Sequence, residues 1–308
     1  MEKLADVRLR MRSVQGIGEV CRTLATVASA KLAQTRDRAL GARTYAARLR
    51  DILARQQRAA RLAGVDVTTF SPLMEQRAEV RRIDLVVVAA DRGLCGGYNL
   101  AVGREARTFA LRELAKGVEV TAVTRGRRAE TYLRRTSSLP IAEATAWTRA
   151  GVAPADVDWL LDRITSDFLG GEVDEVWACY TSFLSTVRRE PVVVRLLPVM
   201  PADAKADALD GLADAALGWQ HEPSQAACVS ELLDAFVRLQ AEDVLLQAFA
   251  SEQAARMVTM QEAAERADRT LAELRVGYNR LRRESITADL VGVLVASRVR
   301  KGAGDDEG

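Results

Sequence analysis

The sequence predicts an α/β chain in two parts: a long antiparallel two-helix coiled coil built from the N- and C-terminal stretches, and a central domain with a mostly parallel sheet. Three observations carry this. All seven prolines lie between Pro72 and Pro223, which leaves both flanks free to run as uninterrupted helix. Apolar and small residues recur on both flanks at alternating spacings of three and four. Between the flanks, valine-rich runs of strand length alternate with amphipathic helical stretches.

On the first flank, residues 1–61, the seam is Leu4, Val7, Met11, Val14, Gly18, Cys21, Ala25, Ala28 and Leu32. Its middle is small, which lets a partner helix approach closely. On the last flank, residues 224–300, the seam is Met257, Met260, Ala264, Ala267, Leu271, Leu274, Tyr278, Leu281 and Ser285. Two heptad patterns at opposite ends of one chain suggest that they wind on each other. The alternative is two amphipathic helices laid on a globular core. Flanks several times longer than the mean helix of about 12 residues favour the coiled coil. The tail, 301–308, is glycine and acid and is expected to fray.

A connector, 62–82, leads to the central domain at 83–199. Ile83–Ala90 is a strand, Asn99–Lys116 a helix and Val118–Thr124 a second strand, with a short helix near Arg127–Arg134. A weaker strand lies near Ile141, and Ala155–Leu169 is an amphipathic helix. Glu175–Thr181 and Pro191–Leu197 are strands joined as a hairpin through Arg188–Glu190. Strands alternating with helices predict a Rossmann-like sheet covered on both faces. Residues 200–223 form a linker.

Composition narrows the function. The chain has 308 residues, 48% of them hydrophobic and 28% charged, enough for one or two packed domains. Its N-terminus has no apolar signal region, and no apolar run approaches a membrane span. The four cysteines, Cys21, Cys95, Cys179 and Cys228, have no metal-site spacing and suggest reduced thiols. His221 is the only histidine, which excludes a clustered histidine metal site. The first flank carries 14 lysines and arginines against 5 acids, a net of +9; the last carries 10 against 11, a net of −1. A basic helix is usually a solvated face; with Tyr45 as its one aromatic the nucleic-acid reading is weak, and an acidic protein partner is the other reading.

Asp91-Arg92-Gly93-Leu94-Cys95-Gly96-Gly97 follows the first strand, where α/β folds bind phosphates. It has neither the P-loop nor the dinucleotide spacing. The glycines suit a tight turn with positive φ and close helix–strand packing.

At this point the residues resemble a family. Ser251-Glu-Gln-Ala-Ala-Arg-Met257, Met260, Gly277-Tyr-Asn-Arg280 and Ser285-Ile-Thr287 resemble the C-terminal helix of the gamma subunit of F-type ATP synthases. Asp91–Asn99 is similar to that family's foot-domain signature, and Val27-Ala-Ser-Ala-Lys31-Leu32 to its first-helix motif. The resemblance runs in order over nearly the whole chain. It implies a shaft threading an alpha3-beta3 hexamer, and a foot bound to the epsilon subunit and the c-subunit ring, with the delta subunit in the same complex. It further implies a peripheral position on the cytoplasmic face of the bacterial plasma membrane, reached only through the c ring. The ATP chemistry lies in the beta subunits, so no enzyme activity, cofactor or metal of its own is expected here.

By the same resemblance, Leu24, Lys31, Arg256, Arg283 and Thr287 occupy positions where the shaft meets the hexamer. Arg256→Glu is expected to weaken coupling and leave the isolated fold intact. Leu24 stands where the family usually has methionine, and Arg283 where it usually has glutamine. Gly16 and Gly18 weaken the first helix. These departures leave a variant or non-rotary gamma-like interaction protein as the alternative.

Overall fold

A computed structural model describes residues 4–62, 64–66, 70–147, 151–199, 222 and 224–302. The expected linker apart from Glu222, His221 and the tail from 303 lie outside the described residues. The elements in order are helix α1 (Leu4–Leu62), a 3-10 turn (Pro72–Met74), strand β1 (Arg82–Val88), α2 (Tyr98–Leu114) and β2 (Glu119–Arg125). Then come α3 (Arg127–Thr136), β3 (Ile141–Thr145), α4 (Pro154–Leu169), β4 (Glu175–Phe183), β5 (Arg189–Leu197) and α5 (Gln225–Gly302). The chain divides into two compact units: one formed from both ends, Met1–Thr26 and Val258–Gly308, and one from Val27–Met257.

The larger unit is built on a five-stranded sheet in the order β3-β2-β1-β4-β5. β1 pairs in parallel with β2 and β4, and β2 with β3; β5 alone is antiparallel, returning from β4 as a hairpin. The strand after the hairpin begins at Arg189, so the turn is Leu184–Arg188 and not the expected Arg188–Glu190; Leu184 and Ser185 donate backbone bonds to the Arg188 carbonyl. β1 is central, and its residues from Ile83 on are buried on both faces. Ile83, Leu85 and Val87 meet α2 and α3 through Val102, Phe109 and Leu133. Val86 and Val88 share the other core with α4, with Leu49 and Leu53 of α1, and with Leu233 and Leu245 of α5. β3, the weakest strand by sequence, is one edge of the sheet and alternates between half-buried and exposed.

Two glycines fix how the layers meet. Gly126 has φ of +100°, and a Cβ there would stand 2.1 Å from the Ala89 carbonyl oxygen. A side chain would clash with the end of β1 and strain the backbone. A Cβ on Gly103 of α2 would meet the Tyr132 ring of α3 at 2.3 Å, so glycine there lets the two helices touch.

The smaller unit is the antiparallel helix pair. Val7, Gly18, Cys21 and Ala25 are buried, as are Met260, Ala264, Ala267 and Leu271. Leu4, Met11, Val14, Leu274, Tyr278, Leu281 and Ser285 are half-buried. A Cβ on Gly18 would lie 3.3 Å from that of Ala267, so the small seam does bring the backbones close. Cys21 and Ala25 pack with Met260 and Ala264. The Arg8 guanidinium lies 5.5 Å from the Tyr278 ring, a cation–π contact. Low residue numbers thus meet high ones, as antiparallel pairing requires.

Sequence periodicity drew coiled-coil flanks at 1–61 and 224–300. The helices run Leu4–Leu62 and Gln225–Gly302, and the compact units divide both of them, after Thr26 and after Met257. The reason lies in α5 itself: residues 244–255 are buried without interruption. A helix covered on all sides belongs inside a core rather than in a two-helix seam, and the polar residues within it are bonded.

Candidate functional site

The Asp91–Gly97 turn is organised by side-chain bonds from within. Asp91 Oδ1 accepts from the Arg127 N–H at 3.0 Å and Oδ2 from the Trp147 N–H at 3.1 Å, tying the end of β1 to the start of α3 and the segment after β3. The Ala90 N–H donates to Asn99 Oδ1 at 3.0 Å, and Asn99 Nδ2 donates to Cys95 Sγ at 3.1 Å. Burial pushes the Cys95 thiol above its ordinary range, which keeps it protonated. Arg92, Gly96 and Gly97 are exposed.

The glycines do not all serve as expected. Gly96 has φ of +56°, the left-handed conformation a tight turn needs, and Leu94 shares it at +64°. A Cβ on Gly97 would meet nothing within 4 Å, and one on Gly93 would lie 3.5 Å from the Arg128 guanidinium. Close helix–strand packing is therefore not their role; Gly103 and Gly126 carry the close approaches in this domain.

Arg256 is turned toward this turn. Its Nη1 donates to Glu252 Oε1 at 2.6 Å and its Nη2 to the Gly93 carbonyl at 3.3 Å. The side chain is only 14% exposed. Burial raises the Glu252 pKa, and Arg256 and Lys31 pull it back toward the charged form. The structure thus places Arg256 in a bonded network of its own chain. Arg256→Glu would set two mostly buried carboxylates one helical turn apart, so the expectation that the isolated fold stays intact does not hold.

The other candidates lie elsewhere. Leu24 is half-buried against the Cys21–Ala25–Met260–Ala264 cluster. Arg283 and Thr287 are exposed; Thr287 Oγ1 donates back to the Arg283 carbonyl at 2.9 Å. With Arg280, Glu284, Ala288 and Val291 they line an open surface groove. The five candidates therefore do not form one site. Lys31 and Arg256 act together on Glu252, and Leu24, Arg283 and Thr287 belong to the helix pair.

Sequence reasoning assigned no role to four polar groups beside Arg256: Ser251, Glu252 and Tyr98 were seen only as parts of motifs, and Gln247 was passed over. Gln247 Oε1 accepts from the Phe183 N–H at 2.9 Å, and Ser251 Oγ donates to the Thr181 carbonyl at 2.9 Å. Tyr98 OH donates to the Ala248 carbonyl at 3.0 Å, and Glu252 is only 7% exposed. For Gln247, Ser251 and Glu252 the signal was present as polar residues inside the mostly apolar run Val244–Ala255. Polar groups enclosed in a core must be bonded.

Among the described residues, no helix is long and apolar enough to cross a membrane. The family model described as ATP synthase matches residues 3–297. An ATP synthase gamma chain of Dehalococcoides mccartyi (strain ATCC BAA-2100) is 33% identical over 298 residues, 96% of this chain and 98% of the relative. That of Anaeromyxobacter sp. (strain Fw109-5) is 32% identical over 301 residues, 98% of this chain and 100% of the relative. In fold, the chain is similar to one in the Euglena gracilis mitochondrial ATP synthase OSCP/F1/c-ring structure, with a TM-score of 0.60 at 14% identity, covering 98% of this chain and 95% of that one. It is also similar to a chain of the Tetrahymena thermophila mitochondrial ATP synthase central stalk/c-ring, with a TM-score of 0.57 at 18% identity, covering 79% of this chain and 99% of that one. A family model over nearly the whole length, with full-length relatives above 30% identity, shows that the chain belongs to the ATP synthase gamma chain family.

Proposed function

We propose that this chain is the turning shaft of a proton-translocating F-type ATP synthase on the cytoplasmic face of a bacterial plasma membrane. In this reading the helix pair lies within the alpha3-beta3 hexamer. The sheet unit is the foot that meets the epsilon subunit and the c-subunit ring, in a complex that also holds delta. The observation that supports it most is the pairing of a thin, small-residue antiparallel seam with an α/β unit in one chain of this family.

The shaft works by differential binding. It presents a different face to each of three beta subunits, so it stabilises a different conformation in each. A turn of the shaft moves those preferences around the hexamer and changes nucleotide affinity. Catalysis stays in the beta subunits. Leu24, Lys31, Arg283 and Thr287 are proposed contacts with the hexamer. For Arg283 and Thr287 the support is their exposure on α5 beside Leu290 and Val291, which are 60% and 53% exposed. Arg256 is proposed with them, its guanidinium also being bonded to Glu252 and Gly93 of its own chain.

The test is recovery of the tagged chain from detergent-solubilised native membranes. Alpha, beta and epsilon subunits in fixed proportion, with ATPase activity in the eluate, are expected. Recovery of the chain without alpha and beta would overturn the shaft reading and favour a non-rotary interaction protein.

A further inference from the structure

The sheet places its natural crevice between β1 and β4, where the strand order turns back: β1 leads outward to β2 and β3, while β4 adds on the other side. In open α/β sheets, ligands bind at that point, outside the C-terminal ends of the strands. Here α5 occupies it. Gln247 and Ser251 bond the end of β4 at Phe183 and Thr181. Tyr98, the first residue of α2, bonds the Ala248 carbonyl, and Arg256 bonds Gly93 in the turn after β1. Phe249 packs against Trp147, after β3, with ring centroids 5.9 Å apart and the planes tilted by 57°.

We infer that this crevice has become a torque clamp, in which Gln247, Ser251 and Arg256 lock the shaft helix to the foot. This rests on the shaft reading. Apolar contact is non-directional and resists sliding or twisting of a helix only weakly. Hydrogen bonds weaken steeply with angle, so several on different sides of one helix hold its rotational setting. The polar partners are almost fully enclosed: Ser251 is 0% and Gln247 2% exposed, so water cannot replace the bonds. These are positioning residues: they touch no substrate, and act by keeping foot and helix turning as one body.

The assembled complex in inside-out membrane vesicles tests this, with ATP hydrolysis and ATP-driven proton pumping measured side by side. For the Ser251→Ala/Arg256→Ala double variant, hydrolysis without a proton gradient is expected within about twofold of the parent. Protons pumped per ATP should fall by about threefold or more as the gradient builds. Arg256→Lys, which retains a cation, should restore most of the pumping. Equal loss of both activities, or loss of neither, would overturn the clamp. Absence of alpha and beta subunits from the preparation would instead count against the shaft reading itself.

Discussion

Helix α5 is held in two different ways along one continuous length. From Met260 to Leu271 it buries only a stripe: Met260, Ala264, Ala267 and Leu271 are covered, while Gln261, Glu262, Glu265 and Arg266 face solvent. From Val244 to Ala255 every residue is buried, polar ones included. The stripe depends on periodicity and on small side chains. The enclosed stretch depends on distant parts of the chain that happen to surround it. A shaft and its mounting need these two properties: a slender surface that can present different faces, and a fixed joint.

The largest expected effect is on stability. Leu245 is fully buried in the main core, and Leu245→Ala should cost about 3–5 kcal/mol, from lost apolar burial plus the cavity left behind. Leu274, half-buried in the helix pair, should cost about 1 kcal/mol when replaced by alanine, because the neighbouring helix can settle toward it. Thermal melts of the two variants check this. Similar losses would mean that the stripe is as tightly enclosed as the core, and the contrast would fail.

Enclosure also has a cost where it catches an ionisable group, and pH should expose it. Asp84 sits on β1, 4% exposed, facing α4. Arg163 Nη2 reaches Asp84 Oδ2 at 3.3 Å, but the same guanidinium also pairs with Asp167 and lies 3.7 Å from Glu143 of β3. One cation thus serves three carboxylates. Burial, then the hydrogen bond to Asp167, push the Asp84 pKa from 3.8 to about 7, against the pull of Arg163. Between about pH 4 and 7 the folded chain keeps a proton there that the unfolded chain has lost. Stability from this group is therefore full below about pH 4, falls as pH rises through that window, and is level above about 7. Asp84→Asn cannot ionise, so it should flatten that part of the profile and add about 2–3 kcal/mol at pH 8. Melts of parent and variant at pH 5 and pH 8 decide; an unchanged difference between the two pH values would show that Asp84 does not carry the proton.

The contrast between stripe and enclosure also explains what the sequence revealed. The seam positions from Val7 to Leu281 could be read one by one, because a 3.5-residue period is local and needs no knowledge of the partner. β1 announced itself by a run of valines that only a strand covered on both faces supports. The clamp could not be read that way. Ser251 and Arg256 were visible as parts of a motif, but their partners, Thr181 and Gly93, are 70 and 163 residues away. Nothing local says that Arg256 points toward the foot rather than toward another subunit. The glycines show the same limit: Gly96 needs its turn conformation locally, whereas Gly103 and Gly126 are required by Tyr132 and by the Ala89 carbonyl, and look ordinary in the sequence.

The smallest expected effect concerns charge on the stripe itself. Arg22 Nη1 lies 3.0 Å from both carboxylate oxygens of Asp268, across the seam from helix to helix. The side chains are 50% and 60% exposed, so water and salt screen the pair. It should contribute only about 0.2–1 kcal/mol, and less in high salt. A double-mutant cycle of Arg22→Ala and Asp268→Ala, run at low and high salt, measures it free of each residue's other contacts. A coupling of several kcal/mol that ignores salt would mean the helix pair encloses its charges as the foot does, and that the stripe is a core in disguise. A small, screened coupling fits a surface that stays open to a different partner at each stage of a turn.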